Sequence, residues 1–239
     1  MQTLIDSTGP FKLPTHWGEV TTAQFCATDP LTTMEQRASY FAGRPIQVNA
    51  LVSVALAWMM VPPPTNEGGL PYPADLGQET YLQVETIRAL LTARPLHECL
   101  LHVWAVFIAR KWNFFAPNEY RQDIAERIQQ MNADSPITQV YPAVIHCLAE
   151  LERLATKYAE LAEPDPTEAA RRAREAGADE LMGMFSHYNV ARAVAQQMGI
   201  TLDAAYALPW ETVAVHLLHD RRTAILTDTI QRNSSKAHD

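Results

Sequence analysis

Cysteine, glycine, positive charge and long apolar runs are all scarce in this chain, and each scarcity removes a class of protein. The three cysteines, Cys26, Cys99 and Cys147, are odd in number and widely spaced. They cannot build a framework of bridges and read as buried thiols of a reducing compartment. The nine glycines form neither GxGxxG nor GxxxxGK[ST], and Gly68-Gly69 falls in a proline-rich stretch instead of between a strand and a helix. Phosphate-cradling loops are therefore excluded, and no GxSxG or CxxC pattern occurs either. The longest apolar run, "VNALVSVALAWMMV" from Val48 to Val61, ends in "PPPTNEGG". It reaches about 14 residues where a membrane span needs about 20, so it reads as a buried helix. Lysine and arginine number 19 against 27 acidic residues, a net charge of −8. Such a chain repels polyphosphates unless its cations cluster. The N-terminus "MQTLIDSTGPFKLP" lacks the basic and apolar regions of a secretory signal, which leads us to expect a cytoplasmic protein with no membrane partner.

What the chain does have is helix-forming sequence. Hydrophobic residues make up 47% and charged residues 19%, so it should fold. Heavy use of Ala, Leu, Glu and Gln, with little period-two alternation, predicts an all-α fold, an irregular multi-helix bundle with a small C-terminal helical module. After an extended lead-in, Thr21 or Thr22 caps a short helix, with Trp17 and Val20 beside Phe25. Thr32 and Glu35 have capping-box spacing for the next, and Gly43 stops it. An apolar helix from about Ile46 to Met60 precedes a loop over residues 62–77 that is rich in proline and glycine. Tyr81, Val84, Ile87, Leu90 and Leu91 then recur at helical spacing, stopping before Pro95. The segment "LHECLLHVWAVFIARKWNFFA" is apolar on nearly every side, predicting a central helix anchored by Trp104, Phe107, Ile108, Trp112 and Phe115. "NEYRQDIAERIQQMNAD" is a surface helix, and Pro136 interrupts the chain after it. In the next helix Val144, Cys147, Leu148, Leu151, Leu154, Ala155, Tyr158 and Leu161 stand in near-heptad order.

Composition changes at "EPDPTEAARRAREAGADE", where Asp165 reads as a cap and Pro166 as the first helical residue. This predicts an N-terminal helical domain over 1–162, a linker at 163–166, a C-terminal module over 167–233, and a frayed tail over 234–239.

Inside that module, "VARAVAQQMGITLDAAYALPWETVAVHLLH" has the apolar spacing of a helix-turn-helix. A DNA-reading second helix needs outward Arg, Lys, Asn or Gln. Here "TLDAAYALPW" offers Thr201, Asp203 and Tyr206, carries no cation, and is halted by Pro209. Arg192 precedes the turn, and Arg221 and Arg222 come a full helix later. The same residues read better as packing. Gly199 ends one helix in a left-handed conformation, Thr201 caps the next, and Leu208-Pro209 begins a third, held by Trp210, Val213, Leu217, Ala224 and Ile225.

No catalytic residue, cofactor or metal centre is expected. His216 and His219 stand at i, i+3, a spacing that could bring two imidazoles to one metal, yet no HExxH or Glu-x-x-His pattern adds ligands. His97, Cys99 and His102 scatter around a helix among apolar neighbours, and His146 and Cys147 are adjacent, so they point in different directions.

Two segments carry a resemblance. "LPTHWGEVTTAQF", from Leu13 to Phe25, resembles the opening of small helical proteins of bacteriophage tail modules. "MFSHYNVARAVAQQMGITLDAAYALPWETVAVHLLHDRR" is similar to the closing helices of tail assembly chaperone-like proteins. The stretch between Tyr81 and Tyr158 is not part of the resemblance. It implies a cytoplasmic morphogenesis factor that binds the tape-measure protein or tail-tube subunits of a phage and prevents their premature association. A structural virion component, such as a connector or tail-completion protein, shares this composition, and a helix-turn-helix regulator is the rival of a different class. A helical protein binds such a client by laying an amphipathic helix in an apolar groove, where aromatic groups supply contact area at low entropic cost. Tyr188, Tyr206 and Trp210 are the expected partner-binding residues.

Overall fold

A computed structural model describes residues 1–6, 9–31, 33–45, 57–60, 63, 75–109, 122–131, 133–178, 180 and 183–236. The fold is all-α, with one addition. The expected extended lead-in is an antiparallel hairpin, β1 (Gln2–Asp6) and β2 (Gly9–Leu13), registered from Gln2 against Leu13 to Asp6 against Gly9. Contacts divide the chain into two compact units, Met1–Tyr72 with Thr86–Ala149, and Pro73–Glu85 with Glu150–Asp239. These do not follow the expected division at 163–166. Composition marks that segment as polar, but residues 75–85 and 150–162 bond within the unit that holds the C-terminal helices and belong with them.

In the first unit, α1 (Thr22–Thr28) starts on a complete capping box, in which Thr21 accepts from the Gln24 amide while the Gln24 side chain takes the Thr21 N–H. The two orphan donors of the helix start are thereby satisfied. The box of α2 (Met34–Ala42) lies one residue later than expected, on Thr33 and Gln36, and Gly43 ends the helix at φ 67°. The Arg37 side chain gathers the carbonyls of Leu31, Asp29 and Met59. That gathering fixes three chain segments with one guanidinium, whose rigid fork suits several acceptors.

The apolar interior comes from α4 (Leu96–Ala109) and the first part of α6 (Ile137–Lys157), with Leu100, Val103 and Phe107 on one and Ile137, Val140, Val144 and Cys147 on the other, all buried. Trp104 and Ile108 are buried as expected. Phe25 meets Trp17 and Tyr141 edge-on, with ring centroids 5.5 and 5.6 Å away. Three backbone bonds, Thr22 to Ser135, Ala23 to Ala133 and Ile137 to Val20, tie the start of α1 to the turn before α6. Pro136 thus stands just outside the helix, opposite Thr21, and it is Pro142 that lies inside, where it removes one backbone donor. α5 (Gln122–Met131) completes the unit. Of the expected helix at 46–60 only a 3-10 turn, Ala57–Met60, is described. Residues 64–74 of the loop, and Trp112 and Phe115, lie outside the described residues.

The second unit begins with a 3-10 turn, Leu76–Gln78, capped by Asp75. α3 (Tyr81–Ala93) comes next, its first five residues in this unit and the rest in the first. The last part of α6 enters it too, and a 3-10 turn, Ala159–Ala162, leads out. α7 (Glu168–Glu175) is capped by Thr167, not Asp165: the Thr167 side chain accepts from Ala170, while Asp165 accepts from Thr167, which places Pro166 before the cap. α8 (Ser186–Met198) ends at Gly199 with φ 64°, and Thr201 caps α9 (Leu202–Ala207). α10 runs from Trp210 to Lys236, so residues 234–236 of the expected tail are helical. Val194, Ala195, Ala205, Trp210, Val213 and Ala214 are buried, whereas Ala224, expected inside, is exposed.

Candidate functional site

The second unit gathers the three expected partner-binding residues around one carboxylate. Glu85, on the second turn of α3, is 7% exposed. Its two oxygens serve two helices: the Trp210 indole N–H donates to Oε1 at 2.7 Å, and His187 Nδ1 of α8 lies 3.3 Å from Oε2. A buried carboxylate left without donors costs several kcal/mol in order of magnitude, so these contacts fix where α8 and α10 meet α3. The backbone repeats the attachment, with Tyr81 N–H donating to Leu208 at 2.7 Å and Trp210 N–H to Glu79 at 2.9 Å. Together they give the start of α10 a two-bond bridge to the start of α3, across Thr80 and Pro209.

Aromatic rings surround this junction. Tyr81, one helical turn before Glu85, stacks on Tyr206 with centroids 6.3 Å apart and planes 23° from parallel. Tyr158 meets Trp210 edge-on at 5.5 Å. Tyr206 is half-buried, and burial first, then the neighbouring Tyr188 phenol, pushes its hydroxyl above the ordinary range. Tyr188 itself is 44% exposed, next to Phe185 at 48%. Trp210 is the correction: at 6% exposure it is an internal ring, because its indole N–H has a carboxylate to reach inside. Glu85 and His187 were not singled out by the sequence, and Tyr81, one turn before Glu85, was read only as part of the apolar face of its helix.

Charged groups frame the junction. The Arg153 guanidinium bridges Glu150 and Asp75, Glu150 also accepts from the Leu76 amide at 3.1 Å, and Lys157 pairs with Glu211. Arg222 grips Glu160 at 2.7 Å, holding that carboxyl below its usual range, and Arg221 donates to the carbonyls of Glu163 and Pro164. Arg221 and Arg222 are therefore committed within the unit, an arrangement that does not serve phosphates.

The remaining titratable groups stay apart. Among the described residues no three His, Cys, Asp or Glu side chains could share a metal ion. His219 is exposed on α10 and His216 half-buried. His97 faces Asp29 at 3.4 Å, and the Cys99 thiol donates to the Leu96 carbonyl at 3.7 Å. Burial raises the Cys99 thiol and, with Asp29 adding to it, pushes Cys26 up to about 11. Both stay protonated thiols at neutral pH and are poor nucleophiles. His146 meets the Phe107 ring edge-on at 6.5 Å. No described helix is long and apolar enough to cross a membrane. The chain matches no family model, and comparison with curated proteins and with solved structures returned no match.

Proposed function

We propose that this chain is a non-enzymatic phage morphogenesis protein, a tail assembly chaperone that acts in the host cytoplasm by binding tape-measure or tail-tube protein. The observation that carries the reading is the aromatic edge of α8. Tyr188 stands exposed on α8 and Phe185 on the 3-10 turn just before it, His187 of α8 lies 3.3 Å from Glu85, and Tyr206 is half-buried. Rigidly held aromatic side chains give a partner large contact area with little ordering cost. The proposed contact set is therefore Tyr188, Tyr206 and Phe185, with Trp210 withdrawn to a supporting role. The two sequence segments that resemble tail-module proteins supply the identity of the client.

Two samples from the same producing cells test this by mass spectrometry: purified mature particles, and proteins co-purifying with the chain from lysate. Absence from particles together with capture of the tape-measure or tail-tube protein, lost on Tyr188→Ala, is the expected result. Stoichiometric presence in particles makes the chain a structural virion component instead, and absence from both removes the phage reading.

A further inference from the structure

The exposed strip of α8 is not only aromatic. Arg192 stands one turn after Tyr188 and Gln196 another turn on, both exposed, so the strip runs about 12 Å along the helix. Arg192 differs from the other arginines of its unit. Arg153, Arg171, Arg172, Arg222 and Arg232 hold carboxylates, and Arg174 and Arg221 hold backbone carbonyls. Among the described residues, no hydrogen bond or ion pair reaches the Arg192 guanidinium.

Negative charge is scarce around it. From Ser186 to Met198 the helix carries no Asp or Glu. The carboxylates of Glu85 and Asp220 reach it at His187 and Gln197, which both stand well round the helix from Arg192. The net charge of −8 is therefore unevenly spread, and this strip is a locally positive place on an acidic chain. Charges more than about 10 Å away are largely screened at physiological salt.

That charge selects what can cover the strip. Tyr188 and Arg192 are about 6 Å apart along the axis, and a specific interface covers roughly 800 Å² of each partner. Whatever buries Tyr188 therefore also covers Arg192. A neutral cover leaves the guanidinium desolvated without an opposite charge, and a basic cover adds repulsion. A carboxylate meets it in a bidentate, charge-assisted pair.

We propose that the client segment received on α8 is an acidic amphipathic helix, which sets an apolar side chain against Tyr188 and Phe185 and an Asp or Glu, one turn away, on Arg192. This rests on the reading of α8 as the client-binding edge, and it gives that edge a rule of selection. A helix laid along α8 repeats the spacing of Tyr188 and Arg192, so anchor and carboxylate are met together.

Fluorescence anisotropy with labelled helical peptides tests the rule without any phage component. Three peptides share one face of leucine and phenylalanine and differ only at the flanking positions, which carry Glu, Gln or Lys. The full chain should bind the Glu peptide about tenfold more tightly than either of the others. Tyr188→Ala should weaken all three, and Arg192→Glu should invert the order in favour of the Lys peptide. Arg192 is exposed, so the circular dichroism of Arg192→Glu should match that of the wild type. Equal affinities, a wild-type preference for Lys, no binding of the Glu peptide, or an order indifferent to Arg192→Glu overturns the proposal. Binding of random duplex DNA that Arg192→Glu abolishes also overturns it, by giving the guanidinium to phosphate.

Capture from the producing cells separates this contact from the identity of the client. Tail protein captured equally by the wild type and by Arg192→Glu keeps the tail assembly reading and overturns the acidic contact. The expected peptide order with no tail protein captured keeps the acidic contact and removes the tail assembly reading.

Discussion

The first unit is held by apolar side chains and the second by polar pins. In the first, α4 packs against α5 and α1, and Phe107, Leu100, Val140, Val144 and Cys147 are all buried. In the second, the buried residues of α8 and α9 are mostly Ala and Val, and position is set by Glu85, the Thr80–Pro209 bridge, and the Arg153 and Arg222 pairs. Apolar packing is non-directional and tolerates adjustment, whereas hydrogen bonds to a buried carboxylate specify one geometry. Under the proposed function, in which the second unit presents Tyr188 and Phe185 to a client, the second kind is an advantage.

Four measurements can break or sharpen that contrast. The largest effect is expected from Phe107→Ala, which should cost the first unit about 3–5 kcal/mol in urea or thermal unfolding. A loss no larger than that of an exposed substitution would remove the apolar half of the comparison. Trp210→Phe keeps most of the ring and deletes the donor to Glu85, so the second unit should lose about 1–3 kcal/mol. Adding Glu85→Gln should then cost less than it does in the wild type, and simple additivity would mean that the pin is not one.

Acid should weaken the second unit through its exposed pairs. Arg171 and Arg172 hold the Glu168 carboxyl at about 2, and Arg222 holds Glu160 low. A carboxyl depressed in the folded state contributes stability that is present above its unfolded value and lost as pH falls through the folded value. Carboxyl NMR should find Glu168 titrating near 2 at low salt and moving upward as salt is added; an ordinary midpoint would dissolve the pair. The smallest stability change belongs to Tyr188→Ala, within about 0.5 kcal/mol, while capture of the client falls. Equal losses in both would make Tyr188 a packing residue.

What could be read from sequence was local. Thr21, Gly43, Gly199 and Thr201 fell where expected because a cap needs only its own neighbours. Thr33 displaced Thr32 because two adjacent threonines, with Glu35 and Gln36 after them, fit the same box in two registers. The lead-in reads as extended, and the Gly9-Pro10 pair within it is the signal that could have marked a hairpin. Trp210 was placed on the surface because its acceptor lies 125 residues earlier in the chain, a distance that no periodicity encodes. His187 escaped notice for the same reason, since its partner is Glu85.

That separation also orders events in time. The strand of chain carrying Asp75, Tyr81 and Glu85 leaves the ribosome long before Leu208 and Trp210, its partners in the finished unit. Contacts so far apart in sequence form late, after the local helices, and chains are made from the N-terminus onward. During synthesis the first unit can close while Glu85 still waits in water, and the junction around Glu85 takes its final shape only after Trp210 has been made.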